Sequence, residues 1–257
     1  LNTFVSAPSS SCNKPINSNF NLAANLNCPG TNGLVIAADN IVIDCQNHAI
    51  NGVNNLGTGI LSIGPRVGIT IQNCTISKFA VGVNLTQTFN SQLFNNTLTS
   101  NQIGFYIQSS SGNLLFHNTA NASFHFSIGI ELNASMNNLI YNNIFNNVVN
   151  AVDNASNSWN IIPIPKTNII KGPFTGGNWW SDYAGIDFNG DGLGDTLLPY
   201  NSNGNIINGG DNFPLVLPCH VDISRNTTLS KDVFCADTAF TFQTNDTILN
   251  CNNHIIT

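Results

Sequence analysis

The chain has 257 residues, 42% of them hydrophobic and 8% charged, with a net charge of −6 and seven Lys and Arg in all. That length buries one elongated core or two compact ones, and so few cations leave nothing to neutralise phosphates, which excludes nucleic acid as a partner. No apolar run reaches the roughly 18 residues of a membrane span; polarity comes instead from Asn, roughly one residue in six.

Residues 1–58 open with "LNTFVSAPSS", which reads as a mature or trimmed N-terminus without a signal peptide, and are expected to form an N-terminal cap and the first turns of a repeat. From 59 to 172 the repeat is explicit. "TGILSI", "VGVNLT", "IGFYIQ" and "IGIELN" set Gly59, Gly82, Gly104 and Gly129 before an apolar residue, with Ala151 in the next slot. A second register, "ITIQNCTIS", "QLFNNTLTS", "LLFHNTANA" and "LIYNNIFNN", carries Asn73, Asn95, His117 and Asn142 at the same steps of 22 to 25. Short alternating apolar runs between Asn, Ser and Gly mark strands. A unit this short, without a helical stripe, fits one coil of a parallel β-helix rising about 4.8 Å per turn.

Like residues then stack. Ile60, Val83, Phe105, Ile130 and Val152 are expected as one inward ladder, Leu85, Ile107 and Leu132 as a second, and Ile71, Leu93, Leu115 and Ile140 as a third. Asn73, Asn95 and Asn142 suit a turn ladder, because Asn tolerates the left-handed region and its amide reaches the next coil.

"NIVIDCQNHAING", the "GI…NCTIS" coils and a later "GGNWWSDY" segment resemble the right-handed parallel β-helix repeat family. That family includes archaeal surface proteins and the periplasmic copper-maturation protein of nitrous oxide reductase. The resemblance implies an all-β, right-handed parallel β-helix with a C-terminal cap. It leaves function open, since such folds carry lyases, adhesins and passive scaffolds.

In the segment 173–218, Pro163 and Pro165 having ended the regular coils, comes "GGNWWSDYAGIDFNGDGLGDTLLPY". Trp179, Trp180 and Tyr183 are expected to cover the open end of the β-helix, a sugar platform being the alternative. Asp187, Asn189, Asp191 and Asp195, with the carbonyl of Leu193, occupy calcium-loop positions 1, 3, 5, 9 and 7. Leu198 stands where an acid is usual, and Asp182 or Asp211 would complete the shell. A structural Ca2+ is the expected cofactor, and an ion-free Asx-rich turn the alternative.

Residues 219–257 restart the motif. Cys219, Cys235 and Cys251 follow Cys12, Cys28 and Cys45 by 207, 207 and 206 residues, and "ILNCNNHII" repeats "VIDCQNHAI". Cys74 stands one coil beyond Cys45. Coil spacing favours Cys12 with Cys28 and Cys45 with Cys74; Cys219 would pair with Cys235, and Cys251 would seek a partner elsewhere. The restart reads either as a tandem array or as a tail docked on the next subunit. Both make the chain its own partner, end to end.

Eight N-x-S/T sequons, the cysteines and the scarcity of charge predict an extracellular or cell-surface location. Asn84, Asn121, Asn133, Asn154, Asn226 and Asn245 are the expected acceptors of N-linked glycans; Asn73 and Asn95 are reserved for the turn ladder. Catalysis has little to work with. Between 59 and 158 the acids are Glu131 and Asp153 and the bases Arg66 and Lys78. Glu131 and Asp153 are expected as outward neighbours on adjacent coils, a solvated pair instead of a catalytic one. Copper handling would need gathered soft or imidazole ligands, but His48, His117, His125, His220, His254 and Met136 are scattered. The reading is a non-enzymatic structural protein of a filament, sheath or surface layer. Carbohydrate binding, polysaccharide cleavage and copper handling are the alternatives.

Overall fold

The computed structural model describes residues 5–6, 12–62, 64–122, 124, 126–189, 191–216, 221–229 and 238–256. Within them the single helical element is a 3-10 turn, Ser202–Gly204. Three parallel sheets wind upward, so each coil contributes one strand to each sheet in turn. The first runs Val5–Ser6, Phe20–Asn21, Val42–Asp44, Thr70–Gln72, Gln92–Phe94, Leu114–Phe116 and Leu139–Tyr141. The second runs from Lys14–Ile16 through Leu34–Ile36, Thr58–Ser62, Val81–Thr86, Ile103–Gln108, Ile128–Asn133 and Val149–Ser156 to Ile206–Asn208. The third runs from Leu26–Asn27 through Ala49–Asn51, Thr75–Ser77, Thr97–Thr99, Thr119–Ala122 and Ile144–Asn147 to Trp179–Trp180.

Alternation in the sequence becomes columns in the core. Phe20, Ile43, Ile71, Leu93, Leu115 and Ile140 stack in register, and so do Ile60, Val83, Phe105 and Ile130. All are buried, each contributing about 1.5–3 kcal/mol by leaving water. The repeated glycine has a packing cause. A Cβ on Gly59 would lie 2.6 Å from the carbonyl oxygen of Gly82, and one on Gly82 would lie 2.7 Å from that of Gly104. No side chain fits where successive coils approach so closely.

The last regular coil shifts by one residue from its expected frame. Ile130 pairs with Ala151, Glu131 with Val152 and Leu132 with Asp153. Ala151 therefore takes the inward place expected for Val152, and Asn150 takes the glycine slot expected for Ala151. Asn150 is tolerated there because the cap begins above it: its amide bonds Ser181 Oγ, Asp182 Oδ1 and Tyr200 Oη. Asp153, expected outside beside Glu131, continues the Leu85–Ile107–Leu132 column and is fully buried.

Asn73, Asn95, His117 and Asn142 all adopt φ of 55–56°, as a turn ladder requires. The amide stack runs mainly through the following residue. Asn118 Oδ1 accepts from Asn96 N at 3.1 Å and Asn96 Nδ2 at 2.9 Å, Asn143 Oδ1 does the same for Asn118, and Asn178 Oδ1 for Asn143. A parallel stack joins Ser91, Asn113, Asn138 and Asn157. These buried amides satisfy corner backbone groups that a sheet ladder cannot reach.

Candidate functional site: the closed end, its acidic loop and the restarted coil

The Trp/Asp-rich segment closes the end of the solenoid. Trp180 stacks on Phe145 at 4.9 Å and on Tyr200 at 4.5 Å, with Trp159 tilted against it at 5.7 Å. With its faces covered and 2% of its surface exposed, Trp180 cannot serve a sugar. Buried indole N–H groups need acceptors, and a carboxylate provides each. Asp211 Oδ2 accepts from Trp180 Nε1 at 2.9 Å and Asn178 N at 2.6 Å, while its Oδ1 accepts from Phe213 N at 3.0 Å. Asp153 Oδ2 accepts from Trp159 Nε1 at 3.2 Å, and its Oδ1 from Ala155 N and Asn157 Nδ2. Burial pushes the Asp211 carboxyl up to about 7 against the pull of its donors, and it raises Asp153 in the same way. Both are anchors sealed from solvent. Neither has a path to pass a proton to a substrate.

Glu131 lies half-buried in the outward column Leu61–Asn84–Tyr106–Glu131–Val152. Burial raises its carboxyl, and its expected acidic neighbour is inside the core. The two acids do not form a pair.

In the loop 187–195 the side-chain oxygens hold the loop's own amides. Asp187 Oδ2 accepts from Gly192 N at 2.8 Å, Asn189 Oδ1 from Asp191 N at 2.9 Å, Asp191 Oδ1 from Leu193 N at 2.9 Å and Asp195 Oδ2 from Phe188 N at 2.8 Å. Leu193 is buried and bridges Leu215. Asp182, offered as a completing ligand, accepts instead from Tyr200 Oη at 2.7 Å and Asn203 Nδ2 at 3.0 Å. Asp211 is committed to the tryptophan.

Among the described residues no group of three or more His, Cys, Asp and Glu converges as a metal site. His48 and His254 hold equivalent turns, and His117 sits in the Asn ladder, where burial, Lys166 and Lys171 lower its imidazole. His125, His220, Cys219 and Cys235 lie outside the described residues. Of the expected acceptor sequons, Asn121, Asn154, Asn226 and Asn245 are exposed, and Asn84 and Asn133 are half-buried. An outer column that composition did not reveal is aromatic: Phe94, Phe116 and Tyr141 stack face to face at 5.1 and 5.9 Å. Phe116 has both faces covered, and Phe94 and Tyr141 each give one face to it. The signal was present in "QLF", "LLF" and "LIY".

Disulfides Cys12–Cys28 and Cys45–Cys74 tie successive coils, with Cα separations of 5.6 and 4.7 Å, and Cys251 is a free thiol. Such bonds persist in an oxidising compartment.

The described residues of the restarted segment repeat the strand pairings of the first coils, with one residue fewer between the two strands. Val221–Ile223 pairs with Phe240–Phe242 as Lys14–Ile16 pairs with Leu34–Ile36. Thr227–Thr228 pairs with Leu249–Asn250 as Phe20–Asn21 pairs with Ile43 and Asp44. Asn226 Oδ1 accepts from Ile248 N as Asn19 Oδ1 does from Val42 N, both at 2.9 Å. His254 N donates to Cys251 O as His48 N does to Cys45 O, both at 2.7 Å. The turn residues agree too: φ is 46° and 64° at Asn252 and Asn253, against 48° and 64° at Gln46 and Asn47.

No curated protein matches the chain. The model of one family, described as NosD, periplasmic copper-binding protein, matches residues 17–185, which are the β-helix coils and the start of the cap. On that match over about two thirds of its length, the chain belongs to the NosD family of extracytoplasmic parallel β-helix proteins.

Proposed function

We propose that this protein is a non-catalytic extracytoplasmic scaffold that works by joining further β-helical coils into a filament, sheath or surface layer. The observation that supports this most is the restart: residues 221–229 and 238–256 rebuild pairings, turn angles and a side-chain bond found between residues 14 and 50. A chain whose task was a single reaction centre has no use for a second set of opening coils. Glycans on Asn84, Asn121, Asn133, Asn154, Asn226 and Asn245, and a structural Ca2+ on the loop 187–195, belong to the same proposal, as reinforcement of a surface polymer. Recovered from its source without reductant, the protein is expected in assemblies several times the mass of its own denatured polypeptide, which loosen when thiol reductant or chelator is added. A freely soluble, fully reduced single polypeptide contradicts the reading.

Copper handling is the second reading, favoured by the description of the family. Copper prefers thiolate, thioether and imidazole ligands. Among the described residues, four of the five cysteines are in disulfides, the free Cys251 shares a turn with His254 alone, His48 and His117 stand on other turns, and no group of three or more such ligands converges. A titration of the purified chain with Cu(I) against a competing chelator separates the two readings. The scaffold predicts no stoichiometric retention. One tightly held ion per chain turns the conclusion to copper delivery.

A further inference from the structure

Five asparagines stand directly before a glycine: Asn32, Asn51, Asn189, Asn203 and Asn208. Such a pair is chemically weak, because glycine has no side chain to shield its amide nitrogen from the carbonyl carbon of the asparagine side chain. The fold holds three of them shut. Asn32 Oδ1 accepts from Thr58 N at 2.9 Å, its Nδ2 donates to Asn13 Oδ1 at 3.0 Å, and Gly33 N donates to Thr58 O at 2.8 Å. Asn51 Nδ2 donates to Asn27 Oδ1 and its Oδ1 accepts from Ser77 Oγ, both at 3.0 Å, while Gly52 N donates to Ser77 O at 2.7 Å. Asn203 Nδ2 donates to Asp182 Oδ2 at 3.0 Å, and Gly204 N donates to Asn201 O at 3.1 Å. Gly190, which follows Asn189, lies outside the described residues. Asn208 differs from the three. It and Gly209 are both exposed, and among the described residues nothing bonds the Asn208 side chain or Gly209 N.

We propose that Asn208–Gly209 is a modification site at which the chain deamidates itself, and that the product loosens the closed end. Gly209 N gives its proton to solvent and attacks Asn208 Cγ. The bond from Gly209 N to Cγ forms, the Cγ–Nδ2 bond breaks, and ammonia leaves. Water then opens the cyclic imide at either of its carbonyls, giving aspartate or isoaspartate; no oxidant or cofactor takes part. The position makes the change consequential. Asn208 pairs with Ser156 on the end strand of the eight-stranded sheet. Three residues on, Asp211 exchanges backbone bonds of 2.8 and 2.9 Å with Tyr200 and accepts from Trp180 Nε1 at 2.9 Å. Gly209 and Gly210 link the two at φ of 93° and 139°, a path open to glycine. Isoaspartate inserts one extra main-chain carbon just before that link, and either product adds a negative charge. The inference stands apart from the scaffold reading and does not need it.

The test compares sites within one molecule. The full chain is held folded in mildly alkaline buffer, and the peptides carrying Asn32, Asn51, Asn203 and Asn208 are followed by mass spectrometry after digestion. Attack at the three held sites must first break side-chain and backbone hydrogen bonds, so Asn208 is expected to convert at least about tenfold faster than any of them. In denaturant the four pairs stand equally bare and should convert at similar rates. Equal rates in the folded chain, or faster conversion at Asn32, Asn51 or Asn203, overturn the proposal. So does a lead of Asn208 that persists undiminished in denaturant, since the fold would then not be its cause. Chain converted at Asn208, separated by its extra charge, is expected to unfold at a lower midpoint, while Asn208→Gln treated alike keeps its own. Asn208→Asp carries the charge without the added carbon and should fall less far than the isoaspartate form. A converted chain with the midpoint of the untreated one overturns the loosening of the closed end.

Discussion

Asp211 shows how much one residue carries. It is 0% exposed and joins Asn178, Trp180 and Phe213, elements 31 to 33 residues away or two residues on. Burial holds its carboxyl near 7 when folded, against an ordinary 3.8. The folded state thus keeps a proton that the unfolded chain has lost. This contribution to stability is complete below about pH 3.8 and disappears as pH rises through about 7. Asp153 is shifted in the same direction. Asp44 is held low, so its contribution is lost only as pH falls below the usual carboxylate range. Calorimetry of the chain should therefore show the unfolding midpoint falling between pH 4 and pH 7, and Asp211→Asn should flatten much of that slope. The same substitution turns an amide N–H2 toward Phe213 N and should cost about 1–3 kcal/mol at pH 4. A slope of equal size in the variant would show that Asp211 does not titrate there.

At the scale of the element, strands this short owe little to intrinsic propensity; their corners decide the register. Asn118 accepts from Asn96 and donates to Leu93 O, Phe116 O and Asn143 Oδ1. Asn118→Ala strands these groups away from water and should destabilise by about 2–4 kcal/mol in denaturant unfolding. Asn95→Ala, one turn residue with φ of 55° and an exposed side chain, should cost about 1–2 kcal/mol from the left-handed backbone alone. A reversed order would place the structural amides in the wrong column. The sequence made the coil length, the glycine corner and three apolar columns legible because each recurs at 22 to 25 residues. It misled at two places for local reasons. In the pairs Asn95–Asn96 and Asn142–Asn143 both residues keep the period: the first makes the left-handed turn, with Asn95 Nδ2 donating to Asn73 Oδ1 at 3.5 Å, and the second carries the buried amide stack that the period alone does not single out. At "NAVDNA" the step contracts to 21 residues and the glycine is lost, and an Asp at an inward position looks outward until Trp159 is known to face it. The Asp211–Trp180 bond joins residues 31 apart with no shared motif, beyond the reach of any periodicity.

For the whole molecule, the columns make a rod whose coils are locked at the N-terminal end by disulfides and at the other by the aromatic and carboxylate cluster. Cys45–Cys74 closes 29 residues. Cys74→Ser should lower unfolding stability by about 3–4 kcal/mol in oxidising buffer and by nothing in reductant; equal loss in both would assign the effect to packing. On the scaffold reading proposed above, assembly runs along the axis on which the coils stack. Fibre diffraction from aligned native assemblies tests this most directly. The account predicts a reflection near 4.8 Å lying along the assembly axis, the coil rise of β-helices joined end to end. The same spacing lying across the axis would mean rods packed side by side, and would contradict it.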